Sequence, residues 1–308
     1  MTSGNVTCCL GGELARQLGK KGTVSDVTLY NVKVGDSVLS FIEPTAYPEK
    51  IQSLVSSINM ADQAILEVNA LDANLAEAVV ALDMAGLERG YTVVDPKLKE
   101  AFNGVASGTV VAGYEPVEPA VAQLRGRLAQ LRPDPEGPKL VQIDHCFPVK
   151  GVGTVALGVV KGGTVKKYDK LHYGSGQATI KSIQVHDNDV AEAPSGIRVG
   201  LCLKDTKPDD IPRGTLLSQQ ELPMSQSIKG AFTLSAFAPR ALEEGDQVLA
   251  NAWLNYVPAK VEKGAIEPGK TADITLALEK PVPLAGGRLS ILDPGLKMPR
   301  VFGWGDLK

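Results

Sequence analysis

Between Asn5 and Thr23 the chain reads NVTCCLGGELARQLGKKGT, an order of residue types suited to holding phosphate. An apolar run from Val6 to Leu10 meets Gly11 and Gly12, and a helix-like stretch carrying Leu14, Ala15 and Leu18 follows. Strand, glycine turn and helix is the plan of a phosphate-binding loop, in which backbone N–H groups and a lysine grip the phosphates. That loop needs the spacing G-x-x-x-x-G-K-[ST]. Here only Gly11-Gly12-Glu13 separates strand from helix, and Glu13 is expected to point a carboxylate where a phosphate would sit. Lys20 and Lys21 follow the helix, too late to replace the missing lysine.

The elements that must position this corner alternate. SVLSFIE (Ser37–Glu43) is a strand, and Ile51, Leu54, Val55 and Ile58 space a helical stripe. QAILEVN is a buried-type strand, and ANLAEAVVALDMAGLERG is a helix with a stop at Gly86 or Gly90. YTVVD and SGTVVAG read as two more strands, and PAVAQLRGRLAQL sets Val121, Leu124, Leu128 and Leu131 on one helix face. Strand–helix alternation predicts a mainly parallel, doubly wound α/β sheet.

RPDPEGPK, Arg132 to Lys139, breaks that pattern with three prolines and a glycine. Beyond it the helical period vanishes, and short β-rich runs recur between Gly, Pro and Asp turns, as in a barrel or sandwich. ELPMSQ (Glu221–Gln226) makes a second joint. The expected plan is an α/β domain over 1–132, a linker over 133–139, and two β-barrels over 140–221 and 222–308.

The net charge of −3 divides unevenly. Residues 1–138 hold 11 Lys and Arg against 17 Asp and Glu, 139–221 hold 11 against 9, and 222–308 hold 10 against 9. An acidic ligand would therefore meet the barrels rather than the first domain. No apolar run approaches the roughly 20 residues that span a bilayer. The opening MTSGNVT lacks the charged and apolar regions of a signal peptide. A cytoplasmic protein without a membrane partner is the expectation. Cys8, Cys9, Cys146 and Cys202, with three histidines, offer no zinc spacing, so no metal is expected. Adjacent Cys8 and Cys9 on one strand should point to opposite faces as small apolar residues.

The runs IDHCFPVKGVGTVALGVVKGGTVKKYDKL, IKSIQVHDNDV and APSGIRVGLCLKDTKPDDIPRGTLL carry a specific resemblance over about residues 140–218. Their order of an opening strand with acidic-x-x-Phe, a G-x-G-T-V hairpin, a K-S-I-Q-V-H strand and a D-I-x-R-G exit resembles the second domain of EF-Tu-type translational GTPases. Within that superfamily the chain is most similar to SelB-like archaeal factors of the EF-Pyl type. LGKKGTVSDVTLYN and AYPEKIQSLV share in that resemblance. The third part resembles its EF-Tu counterpart only in β content and position. Its last stretch, LKMPRVFGWGDLK, lacks the family's arginine- and glycine-rich end, and Trp253, Phe302 and Trp304 are expected in the core.

The resemblance makes the first domain a G-domain by descent, with GTP and Mg²⁺ as the family's cofactors. Such a domain needs a first-loop Lys and Ser/Thr, a D-x-x-G turn that follows the γ-phosphate, and N/T-K-x-D to read guanine. Here the first loop is Gly11-Gly12-Glu13, the second motif reads Glu43-Pro44-Thr45-Ala46, and Asp95 in YTVVDPK has no Asn-Lys before it. These positions are a vestigial nucleotide site, so the domain is expected to be a pseudo-GTPase, not an enzyme and without a cofactor.

The second domain of these factors holds the aminoacylated end of tRNA. By that resemblance Asp144 and His145 fall on the pair near the terminal ribose, where His145 departs from the acidic pattern, and Phe147 falls on the pocket phenylalanine. Gln184 stands where EF-Tu has the glutamate beside the terminal adenine, Arg198 where SelB-type factors have an arginine, and Arg213 near the terminal phosphate. A guanidinium pairs bidentately with anions or carbonyls, and an amide can lie flat against a base. Phe147 in a barrel core and Arg198 on a solvated strand face are the alternatives. His145 and Cys146 as a nucleophile or metal pair is the less favoured reading, since strand neighbours face opposite ways. The implied partners are aminoacyl-tRNA or another RNA, and the ribosome, but not DNA, for a monomer. A GTP-binding factor with an atypical site and a protein-binding assembly factor are the other readings.

Overall fold

The structure, a computed structural model, describes residues 3–174 and 176–307. The first unit contains β1 (Ser3–Leu10), α1 (Leu14–Leu18), β2 (Lys20–Val24), β3 (Thr28–Val34), β4 (Ser37–Glu43) and α2 (Ile51–Met60). It continues with β5 (Gln63–Val68), α3 (Ala73–Ala85), β6 (Gly90–Val94), α4 (Lys99–Ala106), β7 (Glu115–Pro116) and α5 (Val121–Leu128). The sheet order is β2-β3-β4-β1-β5-β6-β7, with parallel pairing from β4 through β7 and an antiparallel β2-β3-β4 flank. Helices α2, α3 and α4 bury one face, and α1 and α5 bury the other. Cys8 joins the first of these cores and Cys9 the second, as alternation on a strand requires. The doubly wound expectation holds.

Local chemistry explains the boundaries of α3. Asp72 caps its first turn by accepting from the Leu75 N–H at 2.8 Å, and Gly86 ends it in the left-handed region at φ 65°. SGTVVAG is a correction. Val110–Gly113 forms a 3₁₀ turn, because the Val110 N–H donates to Asp83 at 2.9 Å and Val111 buries itself under α3. The β-branched pair suggested a strand, and tertiary contact overrode that preference. The edge strand is the two-residue β7 instead.

Residues 132–139 carry no regular element, and the linker lies against the second unit through a Ser195 hydroxyl donated to the Asp134 carbonyl. That unit contains β8 (Leu140–Val149), β9 (Gly153–Gly162), β10 (Thr164–Lys166), β11 (Lys170–Tyr173) and β12 (Gly176–Val185). β13 (Asn188–Val190), β14 (Glu192–Pro194), β15 (Arg198–Lys204) and β16 (Leu216–Ser218) complete it. Six of these strands close a ring in the order β11-β16-β8-β9-β15-β12, with β11 pairing β12. The third unit is a closed six-strand barrel, β17 (Met224–Leu234), β20 (Thr271–Pro283), β19 (Asn255–Lys263), β18 (Gln247–Ala252), β21 (Arg288–Leu292) and β22 (Val301–Asp306) in ring order. Phe302 is buried in its core, whereas Trp253 and Trp304 are only partly buried. No helix among the described residues is long and apolar enough to cross a membrane.

The first unit sits on both barrels. Val6, Val27, Leu29, Ile42 and Met60 pack with Val159 of the second unit and Leu254 of the third. Tyr256 donates its hydroxyl to the Gln52 carbonyl at 2.9 Å, and Asn59 donates to Asn251 at 2.7 Å.

Candidate functional site

Two regions gather the residues singled out in the sequence. The first is the turn between β1 and α1. Gly11, Gly12, Glu13 and Glu43 line a cavity of about 400 Å³ together with Arg16, Tyr47, Glu67 and Asp72. Gly11 turns at φ 85° over the Glu67 backbone, and a Cβ on Gly12 would stand 2.2 Å from the Glu67 carboxyl carbon. That close approach lets Glu67 Oε1 accept the Leu14 N–H at 2.8 Å, at the start of α1. The open N–H groups of a helix start attract an anion, and here the anion is the chain's own. The expectation for Glu13 needs correcting: its carboxylate is exposed and pairs with Arg16 at 3.1 Å, while Glu67, 53 residues beyond Leu14, takes the seat. Burial pushes the Glu67 carboxyl up, the Leu14 and Glu13 N–H groups pull it down, and the charges of Glu13 and Glu43 push it up again, for a net rise. Glu43 also accepts from Tyr30 at 2.8 Å and meets Arg16 at 3.5 Å. Asp95 stands apart from this cavity, exposed, and caps a short 3₁₀ turn by accepting the Lys97 N–H at 2.9 Å.

The second region is the outer face of the β8-β9-β15-β12 sheet. Strand register sets three cross-strand rows: Phe147–Val155–Cys202–Ser182, His145–Leu157–Gly200–Gln184, and Gln142–Val159–Arg198. Paired residues present their side chains to one face. The alternate residues Val141, Ile143, Ala156, Val199, Leu201 and Ile183 fill the barrel core. Phe147 is therefore not a core residue; it is 39% exposed.

A bulge in β8 between Ile143 and His145 changes what two neighbours can do. In a regular strand Asp144 and His145 would face opposite ways. Here Asp144 is fully buried and accepts from Arg198 Nη1 at 2.8 Å, and its other oxygen lies 2.9 Å from His145 Nδ1. Burial alone would raise the Asp144 carboxyl; the Arg198 guanidinium and the His145 ring together hold it below the usual carboxylate range. Arg198 is mostly buried as well, so it is not a solvated strand-face residue; it is ion-paired beneath the rim of the face. Among the described residues its Nη2 has no hydrogen-bond partner; nor have the amide atoms of Gln142, which is fully buried in the row whose Val159 packs against the first unit. Buried polar atoms without partners are uncommon. Gln184 is exposed and donates to Asp189 at 3.0 Å.

Arg213 does not join this face. It bridges to Asp26 of the first unit at 2.6 Å, at the junction with both barrels. Burial raises and Arg213 lowers the Asp26 carboxyl, and the guanidinium wins. Asp144, His145, Phe147, Gln184 and Arg198 thus share one face, and Arg213 serves an interdomain contact. Gln142 and Glu67 were missed in the sequence. Glu67 sits inside QAILEVN as the one charged residue of an otherwise buried strand, and that was the signal available.

No family model matches the chain. Over 300 residues it is 36% identical to the uncharacterized protein MJ0325 of Methanocaldococcus jannaschii, covering 96% of each chain. Over 229 residues it is 22% identical to the selenocysteine-specific elongation factor of the same organism, covering 66% of this chain and 49% of that one. It therefore spans about half the length of that factor. Among solved structures, the translation elongation factor SelB of Methanococcus maripaludis with the GTP analogue GPPNHP superposes at a TM-score of 0.81 and 20% identity. The match covers all of this chain and 80% of that one.

Proposed function

The chain belongs to the family of that M. jannaschii protein, within the SelB/EF-Tu-like superfamily of translation elongation factors, and from that premise we propose that it holds the aminoacylated end of a tRNA on its second domain without a GTP cycle. One observation carries the binding half of this reading. The Asp144–His145–Arg198 cluster stands on the same sheet face as the exposed Phe147 and Gln184. A guanidinium beneath the rim can pair with an anion or carbonyl brought to it, and an exposed ring and amide can take a base. Arg198 suits an aminoacyl side chain that carries negative charge. Because two of the relatives are named for selenocysteine and others are elongation factor 1-alpha, selenocysteinyl-tRNA is one charged RNA to try, beside its cysteinyl and seryl counterparts.

The missing GTP cycle is argued from the other region. A phosphate entering at Gly11-Gly12 would have to displace Glu67 from the Leu14 N–H and would meet Glu13 and Glu43, whose charge already engages Arg16, with no first-loop lysine to bind it. This favours the present reading over a GTP-binding factor with an atypical site.

The test compares aminoacylated with uncharged tRNA, for the wild type and for Arg198→Glu, at two salt concentrations. Tighter binding of the charged RNA, lost in Arg198→Glu, supports the reading. Equal binding of both RNAs, unchanged by the substitution, would leave the barrel with another partner, such as a protein of an assembly complex. Calorimetry with GTP and GDP in the presence of Mg²⁺ tests the second half. A dissociation constant at or below the micromolar range, worth about 8 kcal/mol, would overturn it.

A further inference from the structure

Helices α2 and α3 carry no basic residue in their last turns, so nothing of their own meets the partial negative charge at their C-terminal ends. The barrels supply the cations. Lys161 of the second domain donates to the Ala61 carbonyl and to the Asp62 carboxylate, each at 3.1 Å. Arg288 of the third domain donates to the Asp83 and Met84 carbonyls at 3.0 and 3.1 Å, while its guanidinium stacks 3.7 Å from the centre of the Trp304 ring. It lies so close to Gly86 that a Cβ there would stand 2.6 Å from the guanidinium.

Two ion pairs complete the set. Arg213 meets Asp26, and Arg300 meets Glu77, whose side chain is fully buried. The Arg300 guanidinium holds the Glu77 carboxylate through Nε at 3.1 Å and Nη2 at 2.6 Å, and its backbone N–H donates to the same group at 2.5 Å. The loop after β4 is tied to both pairs. Ala46 N–H donates to the Asp26 carbonyl at 2.9 Å. Tyr47 donates to the Asn74 carbonyl at 2.8 Å, with its ring 5.8 Å from the Arg300 guanidinium.

We propose that these bridges lock the three domains in one arrangement that no nucleotide switches, so that the face of the second domain is presented in a fixed frame. The loop that resembles the γ-phosphate-sensing turn is pinned to the interdomain ion pairs, and the helix start that would receive the phosphate is filled by Glu67. Both of these places, through which a phosphate would bias a second packing, are thereby occupied. A ligand shifts a conformational equilibrium only through differential contacts with its two states.

The test uses the full chain with spin labels in two pairs, Asn103→Cys of the first unit with Lys181→Cys of the second and with Lys280→Cys of the third, all exposed positions, and Cys146→Ser to keep that thiol silent. Pulsed distance measurements should give one narrow distribution for each pair, the same with and without millimolar GTP or GDP and Mg²⁺. Two distances for either pair, or a shift on adding either nucleotide, would overturn the lock. Glu77→Gln should add a second, broader population. Arg288→Met, a milder change at a partly exposed bridge, should speed hydrogen exchange in the last turn of α3 at least tenfold, and unchanged exchange there would count against the proposal. No RNA enters these measurements, so the lock and the RNA reading can fail separately.

Discussion

The turn at Gly11-Gly12-Glu13 and the outer face of the second domain both concentrate polar groups on a scaffold suited to a ligand, yet they stand in opposite conditions. In the turn the helix start is answered from within: Glu67 takes the Leu14 N–H, Arg16 takes Glu13 and Glu43, and Tyr30 takes Glu43. On the face, Arg198 Nη2 has no partner among the described residues, and Phe147 stands exposed. A shape inherited from a binding site says little by itself. What matters is whether its hydrogen-bonding capacity is already spent inside the fold.

The largest effect should follow from breaking the buried cluster of the face. Arg198→Glu sets a second carboxylate against buried Asp144 and leaves Asp144 with His145 as its remaining partner, a loss of about 3–5 kcal/mol of stability for a broken buried pair. Urea unfolding measures it, and a loss under 1 kcal/mol would mean that the cluster is not buried as described. Binding of charged tRNA should fall at least a hundredfold in the fraction that remains folded.

Next come the exposed members, where stability and binding should separate. Phe147→Ala and Gln184→Ala should change stability by no more than about 0.5 kcal/mol, as surface substitutions do. Each should nevertheless cost about 1–3 kcal/mol in RNA affinity where a base stacks on it. Gln184→Ala should cost less than Arg198→Glu. Affinity changes matched by equal stability losses would return both residues to a structural role.

A third contrast is in pH. The Asp144 and Asp26 carboxyls are held low in the folded protein by Arg198 and Arg213, which outweigh burial. Their contribution to stability is fully present above the unfolded carboxylate value of about 3.9 and is lost as pH falls through the lower folded values. Asp144→Asn should therefore destabilise strongly at pH 7, with the gap to wild type closing below pH of about 4. Thermal melts at both pH values check this; a gap that widened in acid would reverse the assigned sign.

The smallest effect belongs to the turn. The Glu67 carboxyl is raised by burial and by its acidic neighbours, so its charged form costs stability once pH passes the raised folded value. Glu67→Gln keeps an acceptor for the Leu14 N–H and removes the repulsion, so it should raise the melting temperature slightly at pH 7 and make no difference below pH of about 4. A clear drop at neutral pH would show that the negative charge itself holds the helix start.

Much of the fold was legible because it rests on local periodicity. The buried strand Gln63–Val68, the helix Ala73–Ala85 with its stop at Gly86, the linker over 132–139 and the loss of helical period beyond it could all be read along the chain. So could the absence of a phosphate-loop lysine, which needs no structure to see. The role of Glu67 could not, since it caps a helix 53 residues upstream. Glu77 and Arg300 find each other across 223 residues, and Lys161 and Arg288 cap helices of another domain. The union of Asp144 with His145 needed a bulge that alternation alone denies. Sequence by itself determines which segments bury a face and which backbone groups go unanswered at their ends. Which distant side chain answers them is decided only when the domains pack, because burial makes an unpaired charge or N–H costly wherever its partner lies along the chain.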